Sequence, residues 1–130
     1  CMYAEDLDTI EVFYRDVLGL HVMSKVEGRH VFFRCGARVL LIFNPTTTRT
    51  EATLPAHGTE GDGHLCFAVP ADDLDAWRAH LSTHGINIEH EATWGERGHS
   101  FYFRDPAGNS LEIATPRIWG IDEATAFPDP

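Results

Sequence analysis

Glu112 stands between Leu111 and Ile113 in the run SLEIA, so in a strand its carboxylate points opposite to both apolar neighbours, inside a segment otherwise suited to burial. A carboxylate taken out of water is costly unless something pairs with it. His64 opens the run HLCFAV. Cys66 and Ala68 share its face of that strand, and Leu65, Phe67 and Val69 share the other. Small residues beside the imidazole suit the lining of a cavity, whereas the bulky set suits packing against a helix. His99 and Tyr102, in GHSFYF, carry groups able to transfer protons, and His57 lies in a long polar loop.

Across the whole chain, 20 acidic residues against 10 basic ones give a formal charge of −10, a field that repels phosphate backbones and anionic lipid. Nucleic acid is therefore not expected as a partner, while a cationic small molecule or a metal ion is electrostatically favoured. Cys1, Cys35 and Cys66 form an odd set without a C-x-x-C spacing, which predicts reduced thiols and a cytoplasmic protein. No apolar run approaches the ~20 residues of a membrane span. The opening CMYAEDLD reads as the end of a strand running into a helix cap, so a first strand is expected to begin upstream of Cys1.

The elements that must position the side chains occur twice. Leu7, Ile10 and Tyr14 follow the spacing of one helix face, led in by AEDLD and ended near Gly19; Leu74, Trp77 and Leu81 repeat it, led in by ADDLD and ended at Gly85. HVFFRCGARVLLIFNP then aligns with SFYFRDPAGNSLEIATP, each reading as strand, Arg, Gly-bearing turn, strand and proline. With HVMSKV and INIEHEA as the remaining strands, the prediction is an α+β fold of two tandem βαβββ units. Their curved mixed sheets would enclose a concave site. The first unit is assigned to residues 1–45, a connecting loop or lid to 46–63, the second unit to 64–116, and a tail to 117–130. Trp119, Ile118 and Phe127 make that tail too apolar for solvent, so it is expected to pack on the body or on a second subunit.

AEDLDTIEVFYRDVLGL, GHLCFAV and FYFRDPAGNSLEIATP resemble the vicinal oxygen chelate superfamily, which holds glyoxalase I, extradiol dioxygenases, fosfomycin-resistance enzymes and bleomycin-binding proteins. The resemblance implies a divalent metal, iron, manganese, nickel or zinc, on inward strand positions, with His64 and Glu112 as protein ligands from the second unit. The matching last-strand position of the first unit falls at Leu40 or Leu41, which cannot bind metal. That departure argues against the four-ligand glyoxalase pattern and leaves the two-His, one-Glu pattern, its second His expected ahead of Cys1. Ring-cleaving relatives also make His99 and Tyr102 candidates for catalysis.

The implied function is a metal-dependent lyase or dioxygenase acting on a small substrate with adjacent oxygens, working as a homodimer. The alternative is a metal-free, bleomycin-resistance-like protein that sequesters a small cationic aromatic compound. Phe101, Trp94 and Trp119 would stack on a planar ligand, and His57 could reach over the pocket mouth.

Overall fold

Asp6 starts the first helix by accepting a hydrogen bond from the Thr9 backbone N–H at 3.1 Å, which satisfies one of the donors that a helix start leaves open. In the computed structural model, which describes residues 1–129, this helix is α1, Leu7–Val12. It continues as a wider π turn over Phe13–Val17, where Leu18 N–H reaches back to the Phe13 carbonyl at 3.3 Å. Leu7, Ile10 and Tyr14 are all buried, and Gly19 ends the segment with φ +70°, a left-handed conformation that a side chain would strain. Gly85 ends the second helix in the same way, with φ +68°.

Two four-stranded mixed sheets carry the fold. The first joins β1 (Met2–Tyr3), β2 (His21–Val26), β3 (His30–Cys35) and β4 (Arg38–Phe43) in the order β1-β4-β3-β2. A helical turn α2 (Pro45–Thr48) follows it. The second sheet joins β5 (His64–Ala68), β6 (His90–Thr93), β7 (His99–Arg104) and β8 (Ser110–Ala114) in the order β5-β8-β7-β6. Between β5 and β6 runs α3 (Leu74–Thr83), and α4 (Glu123–Ala126) lies in the tail. In both sheets the first strand runs parallel to the last and every other pairing is antiparallel. This is the repeated βαβββ order read from the sequence.

The chain separates into two compact units, one of residues 1–63 with the turn Asp105–Asn109, the other of His64–Arg104 with Ser110 onward. In the second unit Phe101, Phe103, Leu111 and Ile113 are at most 1% exposed and share one sheet face. Burial of each such side chain contributes about 1.5–3 kcal/mol. The α3 residues Leu74 and Leu81 are buried, and the Arg78 guanidinium sits 5.2 Å from the Phe101 ring centroid, so the helix covers this face. Period-two alternation turns Ser100, Tyr102, Ser110 and Glu112 to the opposite face.

Several expectations are corrected. The strand assigned to INIEHEA is β6, which begins only at His90; Ile86 to Glu89 stay irregular, with Ile86 N–H bonded to the Leu81 carbonyl at 2.9 Å and Glu89 N–H to the Tyr102 carbonyl at 2.8 Å. The ADDLD lead-in is a 3-10 turn, Ala71–Asp73, that extends α3 backward, and Asp73 makes no side-chain cap bond. The 46–63 connection is not structureless. Thr48 is fully buried, Glu51 pairs with Arg29 at 3.1 Å, and Gly63 N–H donates to Asn109 Oδ1 at 2.8 Å. In the tail Pro116 is buried and Ile118 half-buried, whereas Trp119 and Phe127 remain 54% and 37% exposed. Among the described residues no helix is long and apolar enough to cross a membrane.

Asp105, read from the sequence only as a turn former, is 4% exposed and accepts the Tyr14 O–H at 2.8 Å. Burial, then the charge of Asp105, and finally this hydrogen bond push the Tyr14 phenol far above its usual range. The sign follows from proton counts. Above about pH 10 an unfolded Tyr14 ionises while the folded one keeps its proton, so stability falls by about 1.4 kcal/mol per pH unit. Urea unfolding above about pH 10 should approach this slope, and Tyr14→Phe should lessen it by that amount. An equal slope in the variant would refute the assignment.

Candidate metal and substrate site

The open face of the second sheet gathers the chemistry. β5 and β8 run in parallel register with His64 opposite Ser110 and Cys66 opposite Glu112, and β7 adds Tyr102 opposite Glu112. His64 is half exposed in its side chain and Glu112 only 7%. Their approach is direct, with His64 Nε2 at 3.2 Å from Glu112 Oε2. The other ring nitrogen, Nδ1, lies 3.0 Å from the Ser110 carbonyl oxygen, which can only accept. Nδ1 therefore carries the proton, and in the neutral ring Nε2 turns a lone pair toward the carboxylate. Two acceptors at that separation repel unless a positive charge, a proton or a cation, stands at them.

Neighbouring groups set the character of this point. Burial foremost, with the charge and hydrogen bond of Glu112, pushes the Cys66 thiol up to about 12, so without a cation beside it the group stays a thiol. The Tyr102 phenol is also raised, chiefly by burial and further by Glu112, while a hydrogen bond from Ser100 acts in the opposite direction. Its ring stacks near His64, centroids 6.1 Å apart at 25°, and near His90 at 5.9 Å. Among the described residues no three His, Cys, Asp or Glu side chains form a ready metal cage. His64 and Glu112 are two donors of the type a divalent cation takes, and the imidazole has the backbone-carbonyl support that orients such a ligand.

The remaining sequence candidates divide. Tyr102 lies at the pair. Trp94 reaches the same face, its indole N–H donating to Ser100 Oγ at 3.0 Å. His99 and Phe101 do not join them, because alternation along β7 sends both to the helix side. Phe101 is fully buried under Arg78 and so has no surface to offer a ligand; His99 is exposed beside Thr93, its Nδ1 3.2 Å from Oγ1. His57 belongs to the first unit, where Nδ1 lies 2.8 Å from the Tyr3 hydroxyl and its ring packs edge-on against Phe43 at 4.7 Å. Cys66 lies on the His64 face as read from the sequence, and the register sets it opposite Glu112. Ser100 and His90 were missed; the i−2 position from Tyr102 was the available signal for Ser100, and His90 needed the β6–β7 register.

The first repeat lacks the acid. Arg34 pairs with Val39 and Phe32 with Leu41, as Arg104 pairs with Ser110 and Tyr102 with Glu112, so the counterpart of Glu112 is Leu41 rather than Leu40.

Comparison with known proteins agrees with this architecture. A family model described as the Glyoxalase/Bleomycin resistance protein/Dioxygenase superfamily matches residues 1–113. The catechol-2,3-dioxygenase of Bacillus subtilis (strain 168) is 33% identical over 110 residues, 81% of this chain; the chain spans 36% of that curated relative's length. The structure of a lactoylglutathione lyase from Agrobacterium tumefaciens superposes with a TM-score of 0.89 at 40% identity, covering 93% of this chain and 94% of that one. The fosfomycin resistance protein FosX from Listeria monocytogenes shares the fold, with a TM-score of 0.66 at 16% identity over 88% of this chain and 85% of its own. With its tandem βαβββ sheets and this match over nearly its whole length, the chain belongs to the Glyoxalase/Bleomycin resistance protein/Dioxygenase superfamily.

Proposed function

We propose that this protein is a metal-dependent enzyme acting on a small substrate with two adjacent oxygens, with His64 and Glu112 among the protein ligands. The observation that carries the reading is the 3.2 Å approach of His64 Nε2 to Glu112 Oε2, with the ring tautomer set by the Ser110 carbonyl. Leu41 in place of a second acid supports a two-His, one-Glu site over a four-ligand one. A bound iron, manganese, nickel or zinc ion would act as a Lewis acid toward the chelating oxygens.

The chain's own residues do the rest. Glu112 is held at 5% exposure, so its negative charge is little screened by water and attracts a cation more strongly than a surface carboxylate would. His64, exposed on one side, leaves the approach open to a ligand. Tyr102 stands opposite Glu112 on the neighbouring strand and burial raises its phenol, so it serves as a hydrogen-bond donor or acid toward a substrate oxygen.

Elemental analysis of protein purified without chelator tests the proposal, with Glu112→Ala in parallel. One equivalent of iron, manganese, nickel or zinc in the parent protein and less than about a tenth of that in the variant is expected. No metal in either, with none taken up on titration, would sink the reading and leave the metal-free binding protein.

A further inference from the structure

Apart from the residues around His64 and Glu112, the second unit holds a cleft of about 550 Å3. Arg97 lines it from the 3-10 turn Gly95–Arg97 between β6 and β7. Arg117, Ile118, Trp119, Gly120 and Asp122 line it from the 3-10 turn Pro116–Trp119 and the residues that follow.

Local backbone chemistry fixes both turns. Trp94 N–H bonds the Gly98 carbonyl at 2.9 Å, and Arg97 N–H bonds the Trp94 carbonyl at 3.2 Å. Gly98 has φ +127°, and a Cβ there would collide with Thr115 Oγ1 and stand 3.6 Å from Ile118 Cγ2. Glycine therefore lets the Arg97 turn seat directly against the residues that begin the tail turn. That second turn starts on buried Pro116, whose ring presets its helical φ. It ends at Gly120, φ +74°, whose N–H returns to the Arg117 carbonyl at 2.9 Å.

The charges of the two arginines are uncompensated. The chain carries 20 acids against 10 bases, and Arg15, Arg29, Arg49, Arg78 and Arg104 each meet a carboxylate at 3.1 Å or less. Among the described residues no carboxylate oxygen comes within 4.0 Å of an Arg97 or Arg117 side-chain nitrogen, although Asp122 lines the same cleft. Glu123, next along, is engaged elsewhere and accepts the Ala71 N–H at 2.7 Å. Two guanidinium groups against one acid leave the cleft positive within a strongly acidic chain. The planar fork of donors on each arginine matches a carboxylate, and arginine keeps its charge throughout the working pH range.

Trp119 supplies the apolar half. It lines the cleft while staying 54% exposed, so indole surface is available for stacking. The sequence offers this residue as a stacking surface for a cationic aromatic ligand. In the folded chain its cleft is shared with two arginines, which reverses the charge a ligand must carry there.

We infer that this cleft is a second ligand site, separate from His64 and Glu112, that takes a small planar carboxylate, with the anion at Arg97 and Arg117 and the flat body on Trp119. Binding there needs no metal, so the site stands whether or not the proposed function holds.

The probe is benzoate, titrated at low ionic strength into the full chain as purified and again after chelator treatment. Binding is followed through the 15N-labelled Gly120 amide and the Trp119 indole N–H, the latter identified by its loss in Trp119→Phe. Saturation with Kd at or below about 1 mM is expected, equal with and without chelator. Arg97→Gln and Arg117→Gln should each weaken benzoate about 3- to 5-fold, and Asp122→Asn should strengthen it about 2-fold. Acetate, charged but without a ring, should bind about 5-fold more weakly than benzoate, a gap that Trp119→Ala closes when read at Gly120. No saturation by about 10 mM, or a Kd that neither arginine variant changes, overturns the site. Loss of binding on chelation would put the carboxylate on a metal and overturn it as well, and acetate equal to benzoate in the parent protein would overturn the choice of a planar ligand.

Discussion

Glu112→Leu is expected to stabilise the chelator-treated protein by about 1 kcal/mol while lowering its metal affinity by at least about 100-fold. Leucine is what the matching position of the first repeat already carries, at Leu41, so the strand geometry tolerates it. The two effects share one cause. Glu112 is 5% exposed and faces an imidazole nitrogen that offers no proton in the neutral ring, so without a cation only neutral neighbours such as the Cys66 thiol offset its desolvation. His64 and Tyr102 are exposed enough to return to water when the acid is gone. Breaking an ion pair from one side usually costs several kcal/mol when the abandoned charge stays buried, but here the buried member is the one removed. Urea midpoints in chelator and isothermal titration with zinc measure the two quantities. A variant that is less stable by 1 kcal/mol or more would mean that Glu112 serves the fold, and zinc affinity within about threefold of the parent would remove it from the metal site.

Asp105→Ala should destabilise the first unit by about 3–4 kcal/mol, the largest loss expected of any single polar residue here. Four donors converge on its carboxylate: Tyr14 O–H at 2.8 Å, Asn109 Nδ2–H at 3.0 Å, and the Ala107 and Asn109 backbone N–H groups at 2.9 Å each. Asn109 extends the network by accepting Gly63 N–H at 2.8 Å and donating to the Tyr3 carbonyl at 3.2 Å. Truncation leaves Tyr14, which has no exposed surface, with an unpaired hydroxyl, and Asn109, at 3% exposure, with two unpaired donors. Asp105→Asn keeps the volume and one oxygen for the backbone donors but sets an amide NH2 against donors, so about 1–2 kcal/mol is expected. Hydrogen exchange of the β3 and β4 amides, compared among the three proteins, gives the ordering. Losses under about 1 kcal/mol for Asp105→Ala would show that the network is not what holds this turn.

How much of this could be read beforehand differs from residue to residue. The repeat was legible because each helix face and each strand obeys a local period: Leu7, Ile10 and Tyr14 are buried as spaced, and Arg34 and Arg104 occupy matching rungs. The face of Glu112 and His64 followed from alternation, a backbone property of any strand. His99 and Phe101 were misplaced for the same reason that Tyr102 was not. They sit three residues and one residue from it, so a correct strand with candidates taken from both faces necessarily sends some to the helix side.

What only the tertiary structure decided is everything that depends on distances between groups far apart in sequence. Asp105 reads as a turn former because its local bonds suffice for that, and nothing in its neighbourhood announces that Tyr14, 91 residues earlier, ends on its carboxylate. The Trp94 indole likewise ends on a serine whose identity is unremarkable until burial leaves its hydroxyl with a specific partner. Periodicity in the sequence determined which way side chains point. Which of them meet, and with which proton between them, was settled only when strand register and burial removed water as the alternative partner.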